Sequence, residues 1–455
     1  MHPEFVSTSN QNSSKRIHSF TPDGGRRTKL AEFKNLKELF NEIFNNFAAS
    51  FISITFQIHR DCFMSNKHTN HQFPIDALQQ EPTPLYYYDM DLLRETLDII
   101  NQQIKGIPFK VHYAVKANGN QRILKEIERA GMGTDLVSGR EILAACLAGF
   151  EPREMTYSGV GKTDWEIRLG LEKGIGCFNV ESMPELEVIN AIAHEMNKTA
   201  PIAIRVNPDI DAHTHKYITT GTAENKFGIA LENLENVVNQ AIELNNINLV
   251  GLHFHIGSQI TTMEPYIMLC DMVNKLLDRF ELQGIQFKTI NVGGGLGIDY
   301  EDPDKHLVPD FKQYFDTFKC HLQLRPGQQL HFELGRSIVG QCGSLICRTV
   351  FVKENRNKKF IILDAGMTDL IRPALYQAHH VIQNLTSTET STETYDIVGP
   401  VCESSDVFAI DCQLPVTRRG DIIAIRSAGA YGESMSSTYN MRSLPQTIFN
   451  DQIQG

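Results

Sequence analysis

The stretch Val111–Asn118 reads VHYAVKAN, a β-branched and aromatic run that carries one lysine, Lys116, to its end. A lysine closing a buried strand must reach back to water, pair with an acid or be held neutral for chemistry. At the C-terminal end of a barrel strand, a desolvated lysine is well placed to form a Schiff base with a carbonyl compound, pyridoxal phosphate (PLP) included. A surface lysine at a strand end is the plain alternative for this stretch alone.

Three later stretches bear on that choice. His253–Ser258 reads HFHIGS, Gly293–Gly295 is a glycine triplet, and Glu333–Arg336 reads ELGR. The triplet lets backbone N–H groups come close to a phosphate, to which Ser258 adds a hydroxyl and Arg336 a guanidinium. A dinucleotide fingerprint competes with this cup, but the residues after Gly293 and Gly295 miss its spacing and lie late in the chain. A turn without function is the other alternative. Glu333 at a buried strand end needs a cationic partner: the protonated ring nitrogen of PLP, or Arg336 in an ordinary salt bridge. His255 could lie flat on a pyridine ring or be a satisfied core histidine. His213 and His215 lack the companion ligands a zinc site needs, so no metal is expected.

Further on, Cys402 and Glu403 put a thiol beside a carboxylate in a turn, where a buried structural cysteine is the usual occupant. Arg372 and Tyr376 sit four residues apart and could clasp one carboxylate if the segment is helical. Tyr431 stands in a small-residue turn, AGAYG, at 428–432.

The elements that must position these groups show as alternation. Strands are expected at Val111–Lys116, Thr134–Val137, Met155–Ser158, Gly176–Val180, Ile202–Asn207, Leu249–Ile256, Thr289–Val292 and Leu330–Glu333. Helices fall between them at Gln121–Ala130, Gly139–Ala148, Asp164–Glu172, Met183–Met196, Leu231–Leu244, Met263–Leu282 and Phe311–His321. Eight strands joined by helices indicate a (β/α)8 barrel, with a doubly wound sheet as runner-up. After Ser337 short β-type runs take over at Leu345–Val352, Lys359–Leu363, Thr394–Val398 and Asp421–Arg426. A second, all-β domain is therefore expected from near residue 340, with the polar tract Thr386–Glu393 as an exposed loop.

Size and composition agree. One barrel of ~250 residues and a smaller domain fit the 455-residue chain. A net charge of −11 argues against a nucleic-acid surface, so any anionic ligand must be held by local positive groups. Nine scattered cysteines suit free thiols in a reducing cytoplasm. Phe47–Phe56 is too short to span a bilayer, so no membrane partner is expected. Residues 1–63, with one amphipathic stretch from about Leu30 to Phe47, carry no chemistry; they read as an appendage or as outside the functional protein, which could start near Met64.

YAVKAN at 113–118, GLHFHIGSQ at 251–259, the glycine triplet, ELGR at 333–336, RPALY at 372–376, Cys402-Glu403 and Ala430-Tyr431 together resemble diaminopimelate decarboxylase. That family belongs to the PLP enzymes of the alanine-racemase fold and is related to the ornithine and arginine decarboxylases. The likeness runs in order from about Pro84 to Pro445.

The resemblance implies a PLP-binding (β/α)8 barrel over 106–340 and a C-terminal β domain over 341–455. Residues 64–105 would form an N-terminal segment whose strand, at about 84–90, joins the β domain, and residues 1–63 an extension. Lys116 would carry PLP, His255 stack on it and Glu333 bind its ring nitrogen, with Ser258, Gly294, Gly295, Arg336 and Tyr431 completing the cofactor site. Arg336, Arg372, Tyr376 and Tyr431 would face the substrate, Glu403 its distal amine, and Cys402 would donate the proton. The last two would come across a homodimer interface. The implied reaction is decarboxylation of meso-2,6-diaminopimelate to L-lysine and CO2; an ornithine- or arginine-type decarboxylase and a non-catalytic regulatory homologue are the rivals. Two positions depart from the family pattern: Leu334 stands where proline is usual, and Met441 where glycine is.

Overall fold

The computed structural model describes residues 73–210 and 226–453. The extension 1–63 and the pair His213 and His215 lie outside the described residues. Eight parallel strands form the barrel: β2 (Phe109–Ala114), β3 (Gly133–Leu136), β4 (Met155–Tyr157), β5 (Cys177–Val180), β6 (Ala200–Asn207), β8 (Ile247–His253), β9 (Thr289–Asn291) and β10 (Gln329–Leu334). The order β5-β4-β3-β2-β10-β9-β8-β6 closes through a β5–β6 pairing, and the two-residue β7 (Ile229–Ala230) lies outside β6. The doubly wound alternative is excluded by that closure.

All seven expected helices are present within a few residues of their expected ends. A further helix, Met90–Ile104, precedes the barrel and is not among those expected. It buries Met90, Leu93, Leu97 and Ile100, one helical face, and Asp89 caps it by accepting the Asp91 and Leu92 N–H groups. Its Arg94 reaches Glu126 on the helix Gln121–Arg129 at 3.0 Å.

Register sets which side chains share a level at the barrel mouth. Glu333 lies opposite His112, Asp135 opposite Ala114, and His253 opposite both Arg205 and Asn291. Strand side chains alternate, and Asp135, Asn179, His253, Asn291 and Glu333 are polar residues buried near the ends of five of the strands.

The second sheet runs β13 (Ile382–Asn384), β16 (Ile422–Ile425), β11 (Gly343–Asn355), β12 (Lys358–Leu363), β14 (Thr392–Val398) and β15 (Val407–Pro415). The strand β1 (Leu85–Tyr88) pairs antiparallel with β11 and parallel with β17 (Gln446–Phe449), so chain from both sides of the barrel is woven into it. The strands β13, β15 and β17 were not read from the sequence. The tract at 386–391 is irregular, but Thr392 and Glu393 already belong to β14. Leu334 is buried at the end of β10. Met441 adopts the left-handed region at φ 56° and is almost wholly exposed.

Candidate active site

Lys116 stands in a single helical turn, Val115–Ala117, directly beyond β2. Its Nζ lies 3.5 Å from Oδ2 of Asp135, whose other oxygen accepts from the Ser158 hydroxyl at 2.6 Å. Burial works against the ammonium, but the charge of Asp135 and then of Tyr431 and Glu333 holds Lys116 above the ordinary lysine range. Lys116 is therefore paired with an acid at the cavity.

Glu333 does not pair with Arg336. Its Oε2 meets Nε2 of His253 at 3.0 Å, and its Oε1 accepts from Asn291 at 2.8 Å and Asn179 at 3.2 Å. Burial alone would raise this carboxyl; His253 and then Lys116 keep it far below the ordinary glutamate range. Asp135 moves the other way, raised by its own burial and by the charge of Glu333. The acidic pair is thus divided: Glu333 stays ionised and Asp135 takes up a proton more readily.

His255 lines the same cavity, and its Nδ1 accepts the Gly294 N–H at 3.2 Å, which leaves Nε2 to carry the proton of the neutral ring. Burial and the charges of Lys116 and Arg205 push it well below the usual histidine range. The expected glycine cup needs correction here. The Gly293 N–H donates to Asn291 and the Gly294 N–H to His255, so neither is left to face a phosphate. Gly295 does line the cavity, at φ 102°, and a Cβ there would stand 2.6 Å from the Gly257 carbonyl oxygen.

Arg336 donates to Ser258 Oγ at 3.0 Å and to the Tyr300 hydroxyl at 2.7 Å, while its Nε is buried without a partner. Its guanidinium lies 4.9 Å from the Tyr431 ring centre. Tyr431, at φ 57°, is fixed by its N–H bond to the Ala117 carbonyl, one residue past Lys116. Arg372 opens a short helix, Arg372–Tyr376, as the clasp reading required, and its guanidinium lies 4.9 Å from the Tyr300 ring centre. Burial would raise the Tyr300 phenol, but Arg336 and Arg372 draw it below its ordinary value.

Lys116, His255, Glu333, Arg336, Arg372 and Tyr431 converge on one cavity of about 430 Å³, which Ser258, Gly295 and Tyr376 also line. Cys402 and Glu403 are not among its walls. Both are exposed, which excludes a buried structural thiol, and Glu403 accepts from the Tyr439 hydroxyl at 2.8 Å. No role follows from the sequence alone for Asp135, Asn179, His253, Asn291 or Tyr300. The first four are single polar side chains in strand ends, a weak signal until the barrel closes, and Tyr300 lies in the loop after β9. Arg205, bonded to Glu181 at 2.6 Å, is a sixth.

These residues fit PLP. A lysine faces a buried, ionised carboxylate across the cavity, a neutral histidine ring forms a wall, and Ser258 with the unsatisfied Nε of Arg336 offers donors at one end. Residues 91–340 match the family model for the pyridoxal binding domain of pyridoxal-dependent decarboxylases. The diaminopimelate decarboxylase of Bacteroides thetaiotaomicron is 58% identical over 84% of this chain and 99% of its own length. The chain belongs to the diaminopimelate decarboxylase family. That of Vibrio cholerae is 42% identical over 82% of this chain and 88% of its own. A crystal structure of the Helicobacter pylori diaminopimelate decarboxylase with L-lysine superposes at a TM-score of 0.79, with 39% identity, covering 84% of this chain and 95% of that one. PLP is the cofactor of this family.

Proposed function

We propose that the protein decarboxylates meso-2,6-diaminopimelate to L-lysine and CO2, the last step of lysine biosynthesis. One observation carries the substrate class: Arg336 and Arg372 are buried guanidiniums at the cavity, both against Tyr300, and neither forms an ion pair with a described carboxylate. Two desolvated cations without a counter-charge are costly, and the phosphate of PLP together with a substrate carboxylate would relieve both.

PLP, when bound, supplies a ring that accepts the electron pair left behind as the carboxyl group departs. Lys116 would hold the cofactor covalently, and Asp135 would pair with its ammonium whenever the lysine is free. Glu333, kept ionised by His253, Asn179 and Asn291, would stabilise a proton on the ring nitrogen. His255 would lie against the ring, and Ser258, Gly295, Arg336 and Tyr431, which line the cavity, would hold the phosphate end. Gly294 contributes by orienting His255. Arg372 and Tyr376 bind the carboxylate that is retained, so the one that leaves is presented to the ring.

Cys402 and Glu403 act from a second subunit. Their exposure, beside the exposed Tyr439, Met441 and Leu444, supports a homodimer in which the partner's Cys402 donates the proton to the substrate carbon and the partner's Glu403 accepts from the distal amine. The eight described cysteines are free thiols, which supports a cytoplasmic location. Among the described residues no helix is long and apolar enough to cross a membrane. The domain limits 106–340 and 341–455 follow the passage from β10 to β11 through the helix Arg336–Val339.

The test is to incubate the purified protein with PLP and either meso-diaminopimelate or ornithine, and to follow CO2 and the amine product. Lysine from diaminopimelate alone is expected. Equal turnover of ornithine would bring the rival decarboxylase forward, and no turnover of either the regulatory homologue.

A further inference from the structure

Arg372 owes its position to a residue outside the cavity wall. Its Nη1 lies 2.8 Å from Nε2 of His380, and Nδ1 of His380 lies 2.8 Å from the backbone carbonyl oxygen of Arg426. A guanidinium only donates and a carbonyl only accepts. His380 must therefore carry its proton on Nδ1 and present a lone pair at Nε2. Both edges of the ring are used, and they agree on a neutral imidazole of one tautomer.

The surroundings keep it that way. His380 is 2% exposed, with its ring edge-on to Tyr300 at 5.2 Å between centres. The titratable and charged groups about it are Arg372, Arg336, Tyr300, His379 and Arg426, the last turned toward Asp304 at 2.8 Å and Gln383 at 3.1 Å. Burial, then Arg372, hold its basicity well below the ordinary histidine range.

Local structure explains the placement. The helix Arg372–Tyr376 ends at Gln377, which takes a left-handed φ of 54°, and the turn that follows leads into β13. Arg426, immediately past β16, donates its N–H to Val381 at 2.8 Å and accepts from His380, so the ring is bolted to the sheet while it grips the helix.

We propose that His380 is a positioning residue for substrate specificity: its Nε2 lone pair fixes the Arg372 guanidinium in the orientation that receives the distal carboxylate of the substrate. An arginine side chain has several rotatable bonds, and an unanchored one would hold the same charge in many orientations. A neutral acceptor aligns it without neutralising it. A carboxylate in the same place would align it too, but would cancel the charge the substrate needs. The inference rests on the reading that Arg372 binds that carboxylate.

The experiment measures calorimetric binding of L-lysine, which retains the distal carboxylate, and of cadaverine, which lacks it, to the PLP-loaded enzyme. His380→Phe keeps the volume and removes the acceptor; His380→Gln returns an acceptor near the Nε2 position. For His380→Phe the expected result is lysine binding weakened roughly tenfold or more, cadaverine binding within about twofold of wild type, and PLP content unchanged. His380→Gln should restore much of the lysine affinity. Equal loss for both ligands, or a silent His380→Phe, overturns the proposal. Arg372→Ala separates the two readings. If it leaves the preference for lysine over cadaverine intact, the clasp itself is wrong; if it abolishes the preference while His380→Phe does not, only the role of His380 falls. Should His380→Phe fail to fold, failure of His380→Gln to keep the wild-type preference overturns the proposal on its own.

Discussion

Glu333 and His253 meet at 3.0 Å, Oε2 to Nε2, almost wholly buried at the mouth of the barrel. The pair converts a carboxyl that burial would neutralise into one that stays ionised, and an ionised group is what a protonated pyridine nitrogen requires.

Breaking that pair should be expensive. His253→Ala leaves Glu333 with its two asparagine donors and should lower unfolding stability by about 3–5 kcal/mol in a urea titration. The pH dependence has a definite sign. The folded-state carboxyl is depressed, so its contribution is complete above the unfolded value of about 4.3 and is lost as pH falls below it. The stability gap between wild type and Glu333→Gln should accordingly narrow on acidification below about pH 4. A gap that widens there would contradict the assignment.

Lys116 should be the residue that holds PLP. Borohydride reduction of the holoenzyme followed by peptide mapping should place the pyridoxyl mass on Lys116, and Lys116→Ala should retain no reducible label. A label on Lys162, whose side chain is bonded to Glu185, would refute the placement.

The exposed Cys402 leads to a complementation test. Lys116→Ala and Cys402→Ala should each be inactive alone, whereas mixed and exchanged subunits should recover up to about a quarter of wild-type activity, because half the dimers are mixed and each has one intact site. Proven exchange without recovery would mean that each site is built from one chain.

Glu141 gives a pH effect of the opposite sense. Burial pushes its carboxyl up to about 7, although it accepts the Val137 N–H at 2.7 Å. Its folded-state value is raised, so ionising it opposes folding, and stability falls as pH rises from about 4.3 through 7. Glu141→Gln, which keeps an acceptor, should be more stable than wild type by about 1–3 kcal/mol at pH 8 and nearly equal to it at pH 4. A gain that is the same at both pH values would show that packing, not ionisation, is responsible.

The barrel was legible because its causes are local. Apolar runs of strand length alternate with helical periods, and Lys116, the glycine triplet and Glu333 sit where such runs stop. The helix Met90–Ile104 was missed although its apolar spacing is regular, because it precedes the first barrel strand and no alternation pointed to it. What the chain order could not convey is the company each strand end keeps. Within the chain, Arg336, three residues away, was the only partner for Glu333 that sequence proximity suggested; His253, Asn179 and Asn291 hold it instead, from β8, β5 and β9. His380 likewise meets Arg372 only because a left-handed turn folds the chain back toward β16. Strand identity follows from side-chain pattern within a few residues, whereas the neighbours across a closed barrel are set by its register and by which strands complete the ring. Those are properties of the whole sheet, and they appear only when it closes.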